Sequence, residues 1–523
     1  MPNKLLNKTN ICPLVVFSVY MGLFSCISST TFAEGNTPIN PQPTPPPAYS
    51  RLPMTTWGSQ MNDALLGNKK YEAPVWNLHN FLDLPDWLEL NVDQRTRYED
   101  MNNQFKASAL GGDQQIALQT DLWLAAHLGK FTFATEFMDS RGIGGSYGPG
   151  NNLNNLNNNA IDTLDFVQAY VAWADKNVLS SHLGAEIKVG RQTLDLGSRR
   201  LIARPYYRNA YNSFTGIRLR VLDNAKWQLN SFFTLPVNRW PSAAGGINDS
   251  ISQHVQQFDQ EATRTFFSGG ILEAYNLATT KVNAELYLYN LDEGDSFNNP
   301  TRKRRYFTPG LRFYIKPSKG NFDFQAEGMA QYGTVRATTT STTDLRHEAY
   351  SSHLEAGYTL DMAWTPRFSM EYDYATGSKN KNGPSDERFD PLFGVSPVDF
   401  GPSGIFAPIS RSNINSPSYR FSVSPRSDLL LSVQQRLVWL ASSSDCWGAA
   451  SCSGAQLNLN PSAKSGSYVG DLLGFTARYD FNSSWNLETG WYRLFKGQFA
   501  KTAQNAPSGG DVDYFYVQSL FRF

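Results

Sequence analysis

The sequence predicts an all-β chain: a transmembrane antiparallel β-barrel of about 18 strands, with short periplasmic turns and long extracellular loops. Three observations carry this. Apolar and polar residues alternate with period two from Leu88 to the end, the connections alternate between short and long, and an alternating strand finishes on Phe523. Composition agrees: of 523 residues, 18% are charged, against about 25% in an average soluble domain, and 13% are aromatic. Lys+Arg and Asp+Glu balance at 46 each with no basic block, which argues against nucleic-acid binding. A mean hydropathy of -0.40 argues against a bundle of apolar transmembrane helices.

In chain order, residues 1–33 read as a signal peptide. Lys4 and Lys8 are the basic start, Ile11 to Phe24 is apolar, and Thr31-Phe32-Ala33 offers small residues for cleavage after Ala33. The apolar stretch is shorter than the ~20 residues of a spanning helix. Phe24 stands poorly two residues before Cys26 for a lipoprotein. Residues 34–87 form a periplasmic Pro-rich extension, with a stiff run from Pro38 to Pro47 and Trp76 and Trp87 as anchors. Residues 88–523 are the barrel.

Its first strand sets Leu88, Leu90 and Val92 against Glu89, Asn91 and Asp93, and the polar parity continues through Arg95, Arg97 and Glu99. The pattern recurs, as in Leu183, Ala185, Ile187 and Val189 against Glu186 and Lys188, or Phe368, Met370 and Tyr372 against Glu371 and Asp373. Strands are expected to start near residues 88, 115, 131, 164, 183, 214, 226, 265, 281, 305, 322, 348, 367, 418, 429, 467, 485 and 512. Short turns such as Gly129-Lys130 interleave with long stretches at 141–163, 192–213, 235–264, 376–417 and 440–466. An even strand number leaves both barrel ends in the periplasm, and closure removes every sheet edge from hydrocarbon. The terminal segment from Tyr514 to Phe523 resembles the recognition strand of the barrel-assembly machinery. Cleavage removes Cys12 and Cys26, and the remaining Cys446 and Cys452 read as a disulfide clipping a loop.

The charged parity is then the lumen wall. Arg95, Arg97, Arg218, Arg220, Arg312, Arg436 and Arg478 lie on it, and the loop 192–213 adds Arg199, Arg200, Arg204 and Arg208 after Arg191. Guanidinium groups fork onto carboxylates and attract anions from a distance, so these are the candidate pore-lining residues. Arg191 breaks parity after Gly190, which suggests a bulge that redirects its side chain. The competing expectation is that the arginines pair with Glu89, Asp93, Asp121, Glu285, Glu327 and Asp373 and brace the wall. No catalytic motif surrounds the six histidines, so no enzyme is expected. No cofactor or metal is expected either, beyond a weak loop-calcium reading of Asp292, Glu293 and Asp295.

Several segments resemble the alginate-export family of bacterial outer-membrane barrels across nearly the whole expected mature length. They are Leu84-Pro-Asp-Trp-Leu-Glu-Leu90 with Arg95-Thr-Arg-Tyr-Glu99, Phe137-Met-Asp-Ser-Arg141, Val189-Gly-Arg-Gln-Thr-Leu-Asp-Leu-Gly-Ser-Arg-Arg-Leu201, Asn212-Ser-Phe-Thr-Gly-Ile-Arg-Leu219 and Phe389-Asp-Pro-Leu-Phe-Gly394. The resemblance implies a monomeric eighteen-stranded barrel in the outer membrane of a Gram-negative bacterium. Its arginine-lined lumen would pass an anionic polysaccharide or other organic anion by diffusion, with Arg191 matching the pore arginine of the family's Gly-Arg-Gln segment. Expected partners are outer-membrane lipid and lipopolysaccharide, the assembly machinery through Phe523, and an anionic saccharide permeant. The alternative is a general-diffusion porin without marked anion selectivity.

Overall fold

The computed structural model describes residues 74–107, 111–144, 160–178, 183–223, 226–240, 256–296, 300–380, 383–395, 397–447 and 465–523. The expected signal peptide, the Pro-rich run and Cys452 lie outside these residues. Cys446 is disulfide-bonded.

The strands are β1 (Leu88–Asn102), β2 (Asp113–Leu128), β3 (Phe131–Ile143), β4 (Asp162–Asp175), β5 (Gly184–Gln192), β6 (Phe214–Asp223), β7 (Trp227–Asn238), β8 (Gln260–Glu261), β9 (Thr265–Ala274) and β10 (Asn283–Glu293). They continue with β11 (Arg305–Ile315), β12 (Phe322–Arg336), β13 (Asp344–Thr359), β14 (Arg367–Ala375), β15 (Ser385–Asp386), β16 (Ile414–Arg426), β17 (Leu429–Trp439), β18 (Tyr468–Asn482), β19 (Trp485–Lys496) and β20 (Val512–Arg522). β8 and β15 are two-residue pieces, and the other eighteen form the wall. Each wall strand pairs antiparallel with its neighbours. β1 closes the barrel on β20, from Asp93 opposite Arg522 to Asn102 opposite Asp513. The strand starts agree closely with the sequence reading; the widest differences are Asp344 for 348 and Ile414 for 418.

Period two makes this wall. In β2, Ile116, Leu122 and Leu124 are exposed while Ala117, Gln119, Asp121 and Trp123 are buried, so successive side chains serve lipid and lumen. The two-residue turn after β2 needs a left-handed backbone at its first position, and Gly129 supplies it with φ 64°. At the periplasmic end, Val92 and Phe523 exchange backbone hydrogen bonds of 3.1 and 2.8 Å. Trp76 stacks beside Phe521 and Phe523 at 6.1 and 5.9 Å, and its N–H donates to Ser484 Oγ at 2.7 Å. Trp87, expected as a second anchor, is 49% exposed and holds the wall through its carbonyl, which accepts from His127 N at 2.7 Å.

The long segments after β5 and β14 fold into the barrel. Leu194, Leu201 and Tyr207 of the first pack in one core with Phe389, Phe400 and Phe406 of the second and with wall residues Tyr492, Tyr514 and Tyr516. The two segments also bond to each other. Phe393 N donates to Leu201 O at 3.0 Å and Ala203 N to Phe393 O at 3.1 Å, a parallel bridge inside the lumen. Buried loop backbone needs such partners because no water reaches it.

Candidate functional site: the charged lumen

Inside the barrel the charges divide into two kinds of surroundings. The first is a dense ion-paired network joining the inward segments to the wall. Arg200 donates to both oxygens of Asp399, at 2.9 and 3.0 Å, and to Glu327 at 2.7 Å. Asp399 lies on the short helix α1 (Pro397–Phe400) and also accepts from Arg411. Burial opposes its charge, but Arg200 and Arg411 outweigh burial and hold its carboxyl well below the usual range. Arg436 of β17 bonds Glu371 at 2.6 Å and Asp373 at 2.9 Å, both on β14, and His353 Nδ1 lies 2.8 Å from Asp373. His353, Asp373 and Asp399 are near enough to hold a metal, yet these guanidinium groups already neutralise the two carboxylates.

A second part of this network clamps residues 204–209. Arg204 forks onto Glu136 of β3 with two bonds of 2.7 Å and stacks 3.8 Å over the ring of Tyr211. Arg97 pairs with Glu99 at 2.6 Å, donates to Tyr207 O at 2.6 Å and lies 4.0 Å over the Tyr207 ring. Arg95 donates to the carbonyls of Tyr206 and Arg208 and to Asn209 Oδ1 at 3.0 Å. The side chains of Arg95, Arg97 and Arg204 are at most 1% exposed, so they hold the loop rather than meet solvent.

Other candidates are paired locally: Arg199 with Asp195 at 2.8 Å, Arg312 with Glu285 at 2.8 Å, and Arg478 with Asp480 at 2.7 Å. Arg208 donates to Asn212 at 3.1 Å. Asp292, Glu293 and Asp295 are likewise matched to Arg305, Arg304 and Lys303, at 3.0, 2.5 and 3.4 Å, so cations of the chain already occupy that loop's acids.

Arg191 is a correction. Pairing of β5 with β4 and β6 runs unbroken through Gly190, so no bulge turns the strand, although Gly190 itself takes φ 129°. Arg191 therefore keeps the outward parity of Ile187 and Val189. It reaches Glu261 at 2.7 Å and Asp165 at 3.4 Å at the extracellular rim.

The second kind of surroundings is a cationic patch on β5 and β6. Register places Lys188 opposite Arg218 and Glu186 opposite Arg220. Lys188 lies 4.1 Å over the Tyr170 ring, and Arg218 donates to the neutral Asn230 at 2.6 Å. Among the described residues no carboxylate lies within 4.0 Å of these three cations, and Arg218 and Arg220 are only partly buried. Arg218 and Arg220 were legible from parity. Lys188 was legible on the same face, but its lack of a carboxylate within 4.0 Å among the described residues was not, and neither were the pairings of Glu136 and Asp399.

The family model described as alginate export matches residues 86–510. The crystal structure of Pseudomonas aeruginosa OccD3 (OpdP) superposes with a TM-score of 0.51 at 13% identity, covering 84% of this chain and 91% of that one. Acinetobacter baumannii OccAB1 gives 0.51 at 12% identity, covering 84% and 97%. At such identities these likenesses speak for the fold. No curated protein matches in sequence.

Proposed function

Because the chain belongs to the alginate-export family of outer-membrane barrels, we propose that its lumen conducts organic anions, with a carboxylated saccharide as the permeant class. The patch of Lys188, Arg218 and Arg220 carries this reading. Two cations two residues apart on one strand face are separated by about 7 Å, and at an effective dielectric of about 20 they repel by roughly 2 kcal/mol. A carboxylate passing between them relieves that repulsion, and partial burial strengthens the attraction relative to bulk water. The arginines of the buried network do not contribute in this way, since each is almost fully buried and held by a carboxylate or by several carbonyl oxygens. On this reading Arg218 and Arg220 meet the permeant, while Arg95, Arg97, Arg200, Arg204 and Arg436 position the inward segments that shape its path.

The competing reading is a general-diffusion pore, favoured by the extent of charge neutralisation elsewhere in the lumen. Reversal potentials in planar bilayers under a salt gradient separate the two. Anion preference is expected, falling about tenfold in permeability ratio for Arg218→Ala/Arg220→Ala, equivalent to about 1.4 kcal/mol. Cation preference in the parent protein, or unchanged selectivity in the double variant, sinks the proposal.

A further inference from the structure

A second group of charges lies away from the lumen patch, at the extracellular end of β4. Asp162, Asp165 and Asp259 each present a carboxylate oxygen, and these three oxygens lie within 4.8 Å of one another. Calcium takes oxygen ligands at about 2.4 Å, so two oxygens on opposite sides of it stand about 4.8 Å apart. Three oxygens this close together can therefore meet one ion. Asp162 is the informative member, because it is 3% exposed and its Oδ1 has no hydrogen-bond partner. A buried carboxylate oxygen without a donor is costly unless something else meets it.

The charge around the group points the same way. Asp139 is matched by Arg141 at 2.7 Å, and Glu261 by Arg191 at 2.7 Å. Arg239 acts on Asp162 and Asp259. Five carboxyl groups thus gather with three guanidinium groups, leaving two acids without a matching base. The adjoining stretches 145–159 and 241–255 contain no Lys or Arg in their sequence to offset it. The cluster at His353, Asp373 and Asp399 differs, because Arg200, Arg411 and Arg436 already pair with its two carboxylates.

We propose that Asp162, Asp165 and Asp259 form a calcium site that fastens the returning limb of the β7–β9 loop to the rim of β4. The limb is already aligned for it. Asp259 N donates to Asp165, Asp259 Oδ1 accepts from Trp240 N at 2.7 Å, and Phe258 stacks on Phe166 at 6.2 Å. The bound ion matches the two acids left without a base and gives Asp162 Oδ1 its partner. Arg191, held by Asp165 and Glu261, is a supporting member of this clamp. The inference does not rest on the conductance reading.

The test uses the full chain purified from outer membranes in detergent, titrated with Tb3+ under tryptophan excitation, Trp240 being the adjacent donor. One calcium-competed site per chain is expected. Asp162→Asn and Asp259→Asn each weaken it at least tenfold, while Asp295→Asn leaves it unchanged. Heat-modified gel mobility reports folding. Asp259 sits on the loop, so its variant keeps the test open if Asp162→Asn does not assemble. Absence of a calcium-competed site, parent-like affinity in Asp259→Asn, or equal loss in Asp295→Asn overturns the proposal.

Discussion

Arg204 and Arg220 carry the same group into the same barrel and meet opposite surroundings. Arg204 is fully buried, forked onto Glu136 and stacked on Tyr211. Arg220 is partly exposed and stands near Lys188 and Arg218, with Glu186 as the acid paired opposite it. Charge count alone ranks them equal. Desolvation and pairing separate them: a buried forked pair has spent its field on its partner, whereas a half-solvated cation among cations projects its field into the lumen.

The largest effect that tests this contrast comes from Glu136→Ala. It leaves Arg204 buried and unpaired, so about 3–5 kcal/mol of local stability is expected to vanish. Hydrogen exchange across 199–211 reads this, and unchanged protection would mean that Arg204 is not a clamp. Next comes Arg220→Glu, which should weaken or invert anion preference in bilayers while leaving exchange across 199–211 as in the parent. Altered loop protection with intact selectivity would exchange the roles of the two arginines.

A third test uses acid. Asp399 is held below its ordinary pKa of 3.8, so its contribution is present above that value and is lost as pH falls through the lower folded value. Exchange protection across 397–411 is therefore expected to stay flat from neutral pH to about 4 and to fall only below it. A decline centred near pH 6 would assign the clamp to some other group. The smallest effect belongs to Tyr207→Phe, which removes a 2.7 Å hydrogen bond to Tyr514 and should cost about 0.5–1.5 kcal/mol. A null result there would show the aromatic packing to be sufficient.

Much of the wall was legible in the sequence because a membrane barrel imposes one rule on every strand. Lipid outside and water or packed loop inside force period two, and closure forces the strands to pair in order. The lumen parity of Arg218 and Arg220 follows from that rule. The outward parity of Arg191 runs against the expected bulge, because Gly190 absorbs an unusual φ without shifting the register.

The pairing of the charges was not legible, since local pattern does not encode which distant carboxylate arrives. Arg204 meets Glu136 across 68 residues and Arg200 meets Asp399 across 199, each after a long loop has turned inward. The sequence by itself determined a closed barrel of eighteen strands with a charged interior, because hydrocarbon accepts no other use of this alternation. Only the tertiary structure decided which arginines are locked into buried pairs and which stay partly exposed. The physical reason is that burial and partner distance are properties of the folded loops, not of the residues.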